Sequence, residues 1–180
     1  MGVDPGPAGH RMPLMYNSVS ACLEYWEAER ASTLKVMRAL TDPSLSQQVN
    51  AKGRCLGYLA WHLVLTLGEM CGKAGLPVDS PDEDAAEPES AEELASAYEA
   101  ASASVSDVVR SRWTDAMLAD ELKLYGGTWT RGGVLASLVN HQIHHRGQMT
   151  VRMRQAGRAV PGVCGPAREE QAAMGLPPMK

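Results

Sequence analysis

VLASLVNHQIHHRGQM, residues 134–149, carries an apolar stripe at helical spacing that two histidines interrupt. Residues three and four positions apart lie on the same face of a helix. The stripe runs through Val134, Leu138, His141, His145 and Met149, so two imidazoles occupy positions where a bundle helix normally carries apolar side chains. Two neutral imidazoles in a core need hydrogen-bond partners and two charged ones repel, whereas a divalent metal ion resolves both problems.

A second apolar segment offers a third imidazole. His62 lies between Leu59 and Thr66 on the apolar stripe of another predicted helix. The HxxxH spacing of His141 and His145 is a weak signal alone, and His62 strengthens it because it supplies a ligand from a second inward face. Three nitrogen ligands leave coordination positions open, which is typical of catalytic rather than structural sites. The candidate metal ligands are therefore His62, His141 and His145.

His144 also lies near this face. At about 100° per residue, His145 is roughly 40° to one side of His141 and His144 roughly 60° to the other. The spacing favours His145 without excluding His144. We expect His144 to be hydrogen-bonded or partly exposed, with a catalytic role as the alternative. The cluster contains no Cys and no HExxH spacing, so a zincin-type protease is unsupported.

Four segments have the periodicity of bundle helices. They are predicted from Leu14 to the stop at Thr41-Asp42-Pro43, over about 54–73, from the cap Ser90 through the face ending at Val109, and from the cap Thr130 to about Gln155. Residues 113–130 are predicted to be irregular or partly helical, and no strand pattern is evident. The prediction is an all-α four-helix bundle with an irregular N-terminal leader, residues 1–13, a single domain over 14–170 and a C-terminal tail, residues 171–180.

Composition limits the function. The formal net charge of −4 argues against general binding of nucleic acid. No apolar run approaches the length of a transmembrane helix, so no membrane association is expected. The four Cys residues show no CxxC spacing and no secretion signal precedes them, which favours a reducing, cytoplasmic setting.

Several motifs together resemble the DinB/YfiT-like family of bacterial four-helix-bundle metalloproteins. They are HQIHHRGQ at 141–148, RQAG at 154–157, VPG at 160–162 and LAWHLV at 59–64, within a resemblance from about Leu14 to Glu170. The resemblance implies that His62, His141 and His145 bind one divalent ion per chain, usually zinc or nickel. One departure is Cys164, where such proteins often carry Tyr. We expect Cys164 to pack as a small apolar residue.

The resemblance also implies a function, a metal-dependent thiol transferase that uses bacillithiol, mycothiol or glutathione as cosubstrate. A metal ion with open positions can lower the pKa of a thiol that it binds. From Arg110 onward the chain contains ten Lys and Arg residues and five Asp and Glu residues. This excess of positive charge could hold the carboxylates of such a thiol. Arg146 and Arg152 are candidates for that role, although structural salt bridges are the favoured interpretation of both.

Two other functions stay open. A hydrolase would use a metal-bound water, but Glu69, two turns beyond His62, is a poor general base by distance. A non-enzymatic stress-response protein would use the metal structurally, and three ligands with open positions argue against it. The expected partners are a small-molecule substrate and a second copy of the chain, since relatives commonly dimerise through their bundle helices.

Overall fold

Four long helices, each begun by a capping side chain, form the body of the protein. The computed structural model describes residues 17–177, so the predicted leader 1–13 and the predicted helix start at Leu14 lie outside the described residues. The helices, in chain order, are α1 (Val19–Met37), α2 (Asp42–Leu45), α3 (Leu56–Lys73), α4 (Ala91–Arg112), α5 (Arg131–Gln155) and α6 (Arg168–Gln171). A 3-10 turn (Asp115–Ala119) and the strands β1 (Glu121–Leu124) and β2 (Gly127–Thr130) connect α4 to α5.

The long helices form the predicted four-helix bundle. α1 and α3 each pack against both α4 and α5, so α1 and α3 lie diagonally across the bundle. The predicted caps are present: Ser90 Oγ accepts a hydrogen bond from the Glu93 N–H at 3.1 Å, and Thr130 Oγ1 accepts one from the Gly133 N–H at 3.0 Å. Gly157, with φ of 69°, follows the end of α5. Among residues 17–177, no helix is both long and apolar enough to cross a membrane.

The chain between α1 and α3 differs from the prediction. α1 ends at Met37, several residues before Thr41. Thr41 instead begins α2, because its backbone carbonyl and N–H both bond the side chain of Ser44 and Pro43 suits the first turn of a helix. The segment between α1 and α3 therefore contains a short helix of its own.

The prediction that residues 113–130 contain no strand was wrong. β1 and β2 pair antiparallel, with Glu121 opposite Thr130 and Leu124 opposite Gly127. Their two-residue turn places Tyr125 at φ 49° and Gly126 at φ 75°, the positive values that tight hairpins require. β1 alternates polar and apolar residues, but over only four positions, and so short a pattern does not distinguish a strand from a loop or a helical turn.

The inner face of α5 contains polar residues at its centre. Gln142 and Arg146 are almost fully buried, whereas His141 and His145 are only partly buried. Gln142 accepts a hydrogen bond from the Tyr98 hydroxyl at 3.0 Å and donates to the Leu63 carbonyl at 3.4 Å. The histidine stripe therefore lies at the edge of the core, beside the seam between α3 and α5.

The segment after α5 folds back on the bundle. The carboxylate of Glu170 accepts hydrogen bonds from the N–H groups of Gly162 and Ala167 at 3.0 and 3.1 Å, and it lies 3.7 Å from Lys35 Nζ of α1. Cys164 is exposed in the loop that these bonds close. The prediction that Cys164 packs as a buried apolar residue was wrong, because the contacts of this loop are made by Glu170 and backbone groups rather than by the thiol.

Candidate metal centre

Three imidazoles meet where α3 and α5 pack together. His62 comes from α3, and His141 and His145 come from successive turns of α5. One ring nitrogen from each lies within 4.8 Å of the others. The Nε2 atoms of His62 and His141 are 3.2 Å apart, and the ring centres of the three are separated by 4.4–5.0 Å. These three residues could hold a metal ion.

The spacing of the nitrogens fits such an ion. Nitrogens bound to one tetrahedral zinc ion at 2.0–2.1 Å lie about 3.4 Å apart, close to the separation of the His62 and His141 Nε2 atoms. His141 Nδ1 is buried and has no hydrogen-bond partner within residues 17–177. The nitrogen of His141 that faces His62 is Nε2, so an ion bound between the two Nε2 atoms would leave Nδ1 without a partner in this part of the chain, and the fit of an ion rests on the spacing of the Nε2 atoms.

Burial makes the three imidazoles good ligands at neutral pH. Desolvation, followed by the charges of His145 and His62, lowers the pKa of His141 to about 4. Desolvation is also the largest cause of the lowered pKa values of His62 and His145, and the positive charge of Arg54 acts in the same direction on both. All three rings are thus neutral near pH 7, the form that binds a metal ion.

Gln148 orients one of the candidate ligands. Its Oε1 lies 2.8 Å from Nδ1 of His145, so the ring donates from Nδ1 and keeps the Nε2 lone pair free. The Nε2 of the same amide lies 2.9 Å from His144 Nε2. His144 is exposed and lies outside the three-histidine cluster, although its ring contacts the neighbouring ring of His145 and shares this amide with it.

The two arginine candidates have different surroundings. Arg146 is buried, and its guanidinium bonds Glu29 at 2.6 Å and Thr33 at 3.1 Å, as expected of a structural salt bridge. Its placement is not that of a residue free to bind a cofactor. Arg152 is partly exposed and bonds the Gln148 carbonyl at 3.1 Å, and its charge contributes to lowering the pKa of His145. Arg152 therefore lies near the cluster and Arg146 lies behind it.

Three residues of the site were not identified from the sequence. Tyr58 stacks on the His62 ring with an interplanar angle of 15°, and the guanidinium carbon of Arg54 lies over the Tyr58 ring, 4.7 Å from its centre. Gln148 is the third. Tyr58 is four residues before His62 and Gln148 three after His145, so a search for helical neighbours of each histidine could have found both.

Glu69, the nearest acidic candidate by sequence, is engaged elsewhere. Its Oε1 accepts hydrogen bonds from Lys73 Nζ at 2.5 Å and from the Tyr125 hydroxyl at 2.9 Å. Its negative charge acts against the lowering of the His62 and His141 pKa values but is a minor contribution. Glu69 thus ties α3 to the β1–β2 hairpin rather than facing the ligands as a free base.

Comparison with known proteins gives concordant matches. The model of the DinB family matches residues 15–178. An uncharacterized protein of Bacillus subtilis, YrdA, is 40% identical over 162 residues, which covers 90% of this chain and 97% of that protein. A crystal structure of a DinB-like protein from Bacillus cereus superposes with a TM-score of 0.79 at 38% identity, over 83% of this chain and 99% of that one. A second DinB-like protein, YjoA of Bacillus subtilis, has a TM-score of 0.63 at 18% identity, covers 79% of this chain and 96% of that one, and shows the fold alone.

Proposed function

The chain belongs to the DinB family, and on this basis we propose that it is an enzyme, a thiol transferase that depends on one divalent ion per chain. The observation that carries the proposal is the convergence of His62, His141 and His145, whose ligand atoms lie within 4.8 Å of one another. Zinc and nickel are the favoured ions, since both bind neutral imidazoles. The substrates are a low-molecular-weight thiol and a small electrophile.

The protein supplies positioning and charge around the ion. His62, His141 and His145 would hold it, and Gln148 fixes the ring of His145 with its Nε2 available. A bound ion would supply Lewis-acid activation, lowering the pKa of a thiol so that it reacts as the thiolate at neutral pH. The partial exposure of the three rings leaves a side of the cluster that a small molecule can approach.

A hydrolase is the competing function, and the surroundings of Glu69 disfavour it. A hydrolase needs a general base within hydrogen-bond reach of the attacking water. Glu69 already accepts from Lys73 and Tyr125, and the three-histidine cluster includes no carboxylate. A thiol transferase has less need of such a base, because the thiol loses its proton readily once an ion lowers its pKa.

The test is a pair of assays on zinc- or nickel-loaded protein. We expect loss of free thiol when a soft electrophile such as 1-chloro-2,4-dinitrobenzene is added, at a rate that falls to background after treatment with a chelator and returns with the ion. His141→Ala should stay at background, and His144→Ala serves as the matched control. Turnover of an activated ester with no thiol present would favour the hydrolase, and inactivity in both assays would favour a non-enzymatic metal-binding protein.

A further inference from the structure

Each candidate metal ligand is followed in the chain by a residue of one buried polar network. The three pairs, ligand first, are His62 with Leu63, His141 with Gln142 and His145 with Arg146. Successive residues of a helix lie about 100° apart around its axis. Gln142 and Arg146 are almost fully buried, so the rotation of α5 that buries them also turns the two histidines before them toward α3.

Gln142 fixes the register of α5 against α3. Its Nε2 donates to the Leu63 carbonyl at 3.4 Å, and its Oε1 accepts from the Tyr98 hydroxyl at 3.0 Å. These bonds lie one residue beyond His141 and His62, the two ligands whose Nε2 atoms are 3.2 Å apart. A slide of α5 along α3 that parted the two imidazoles would therefore also break the bond from Gln142 to α3.

Arg146 fixes the rotation of α5 from a second side, that of α1. Its guanidinium donates to the Glu29 carboxylate at 2.6 Å, to the Glu29 carbonyl at 3.1 Å and to the Thr33 hydroxyl at 3.1 Å. Both partners belong to α1. Several charge-assisted bonds to one planar guanidinium hold it in a single orientation. The backbone that carries His145, the residue before Arg146, is therefore held in place as well.

Thr33 and Tyr98 join these two sets of bonds. Burial raises the pKa of Tyr98, and a hydrogen bond from Thr33 and the charge of Arg146 act in the opposite direction. The Thr33 hydroxyl thus accepts from Arg146 and donates to Tyr98, which in turn donates to Gln142. The network is therefore continuous, and it includes a residue from each of the four long helices.

A metal site gains from bonds that place its ligands before the ion binds. The free energy spent on ordering the binding groups is subtracted from the binding free energy, so an assembled site binds more tightly. The bonds of Gln142 and Arg146 do not involve the imidazoles. They can therefore hold the helices at the same separation whether or not an ion is bound.

We propose that Glu29, Thr33, Tyr98, Gln142 and Arg146 form a positioning network, which places the three imidazoles for metal binding and thereby sets the affinity and the coordination geometry of the ion. The inference rests on the metal binding in the proposed function, and it is independent of the reaction that the centre catalyses. It gives these buried polar side chains a role beyond the stability of the fold.

Titration of the full-length protein with Co²⁺, whose absorption bands report its coordination geometry, tests the network. The variants are Gln142→Leu, which removes the amide, and Arg146→Lys, which keeps the charge without the planar fork. We expect each variant to bind Co²⁺ roughly ten- to a hundredfold more weakly than wild type, the usual effect of removing a group that orients metal ligands. The absorption bands of both should also differ from wild type. Competition with a chromogenic chelator measures the affinity.

A double variant separates positioning from stability. Gln142→Leu leaves the buried Tyr98 hydroxyl without its acceptor, and adding Tyr98→Phe removes that hydroxyl and should restore part of the free energy of unfolding. The affinity for Co²⁺ should not recover, because the bond to the Leu63 carbonyl is still missing. Affinity that recovers together with stability would mean that the network acts only through the fold, and the positioning role would be wrong.

Val105→Ala is the matched control. Val105 is buried in α4, about two turns after Tyr98, among apolar neighbours that include Trp26 and Val139. The substitution enlarges a cavity and should lower the stability, while the affinity for Co²⁺ and the absorption bands stay as in wild type. Circular dichroism under the titration conditions checks that every variant is folded. A loss of affinity in this control equal to that of Gln142→Leu would also contradict the positioning role.

The wild-type titration separates failure of this inference from failure of the proposed function. If wild type binds one Co²⁺ per chain and the network variants bind it with the same affinity and the same bands, the positioning role is wrong and the metal centre stands. If wild type binds no Co²⁺, or if His141→Ala binds it as wild type does, the three-histidine centre itself fails and the inference fails with it.

Discussion

His62, His141 and His145 have different surroundings although they meet at one point. The Nε2 atoms of His62 and His141 face each other at 3.2 Å, and the ring of His145 is set by Gln148. His144 shares the same amide but is exposed and remains outside the cluster. Removing a residue of the cluster should therefore lower the metal content much more than removing its exposed neighbour.

We predict that His62→Ala or His141→Ala abolishes stoichiometric metal binding, because each variant removes one of three ligands. His144→Ala should keep most of the metal, and it is the matched control because it lies on the same turn of α5. Elemental analysis of protein purified without a metal-binding tag measures the difference. Metal lost from His144→Ala but retained by His145→Ala would mean that the two histidines have exchanged roles.

The stability of the metal-free protein should decrease in mild acid. The pKa of His141 is about 4 in the folded protein, below the ordinary value of about 6.5 that applies when the chain unfolds. Below pH 6.5 the unfolded chain therefore binds more protons at this site, and the free energy of unfolding falls as the pH drops from about 6.5 towards 4. The low pKa values also mean that bound metal should be retained to a lower pH than with ordinary histidines.

The measurement is urea denaturation of chelator-treated protein across this pH range. His141→Gln cannot titrate, so its free energy of unfolding should fall less steeply with decreasing pH than that of wild type. The slopes are compared rather than the absolute stabilities, because the substitution also alters packing. Parallel slopes would mean that His141 titrates normally in the folded protein.

At the scale of the elements, one hydrogen-bonded chain joins three helices directly behind the histidines. The Tyr98 hydroxyl of α4 bonds Gln142 of α5, and Gln142 bonds the carbonyl of Leu63, the residue after His62 on α3. Burial raises the pKa of Tyr98 beyond its ordinary range, so the hydroxyl stays a neutral donor. The chain therefore holds α3, α4 and α5 together at the level of the candidate metal centre.

We predict that Gln142→Leu lowers the free energy of unfolding by about 1–3 kcal/mol, because it leaves the buried Tyr98 hydroxyl without its acceptor. Adding Tyr98→Phe should restore part of that loss, since the unsatisfied group is then gone. The free energies of unfolding of wild type, both single variants and the double variant, measured by chemical denaturation, form a double-mutant cycle. Strictly additive effects would show that Tyr98 and Gln142 do not interact.

Helix periodicity made the four long helices predictable from the sequence. It also predicted that the three histidines lie on inward faces of their helices. Caps such as Ser90 and Thr130 were visible because their side chains act within their own helices. Gln142 was missed, and Arg146 was expected in a salt bridge but not in the core, because periodicity assigns polar residues to the surface, and the burial of both depends on partners far along the chain, Tyr98 and Glu29. Cys164 was misplaced for the same reason, since the contacts that fix its loop lie in Glu170 and Lys35.

For the molecule as a whole, the candidate ligands bridge two helices of a bundle whose apolar core does not depend on them. An ion that binds only the folded protein stabilises it by roughly 2.7 kcal/mol when free metal is a hundredfold above its dissociation constant. For a chain of this size the melting temperature should rise by roughly 5–10 °C.

We therefore predict that chelator-treated protein keeps its helical circular dichroism but melts at a lower temperature than metal-loaded protein at pH 7.5. His141→Ala should show no difference between the two conditions, which controls for effects of the chelator. Identical melting temperatures for wild type with and without metal would mean that the three histidines do not share an ion.

We also propose that the protein is a homodimer, which the resemblance to the family implies. Light scattering at micromolar concentration should then return about twice the 19.3 kDa mass of the chain. A mass equal to that of one chain would contradict the proposal and leave the candidate metal centre unaffected, since all three histidines belong to one chain.

The 79 positions that separate His62 from His141 along the chain give a bound ion a topological role. An ion ligated by both residues would close the intervening polypeptide, which includes α4 and the β1–β2 hairpin, into a ring. α1 lies outside that ring and could detach while it stays closed, whereas any route that parts α3 from α5 must first release the ion. Metal loading would thus determine the order in which the helices unfold, in addition to the stability of the folded protein.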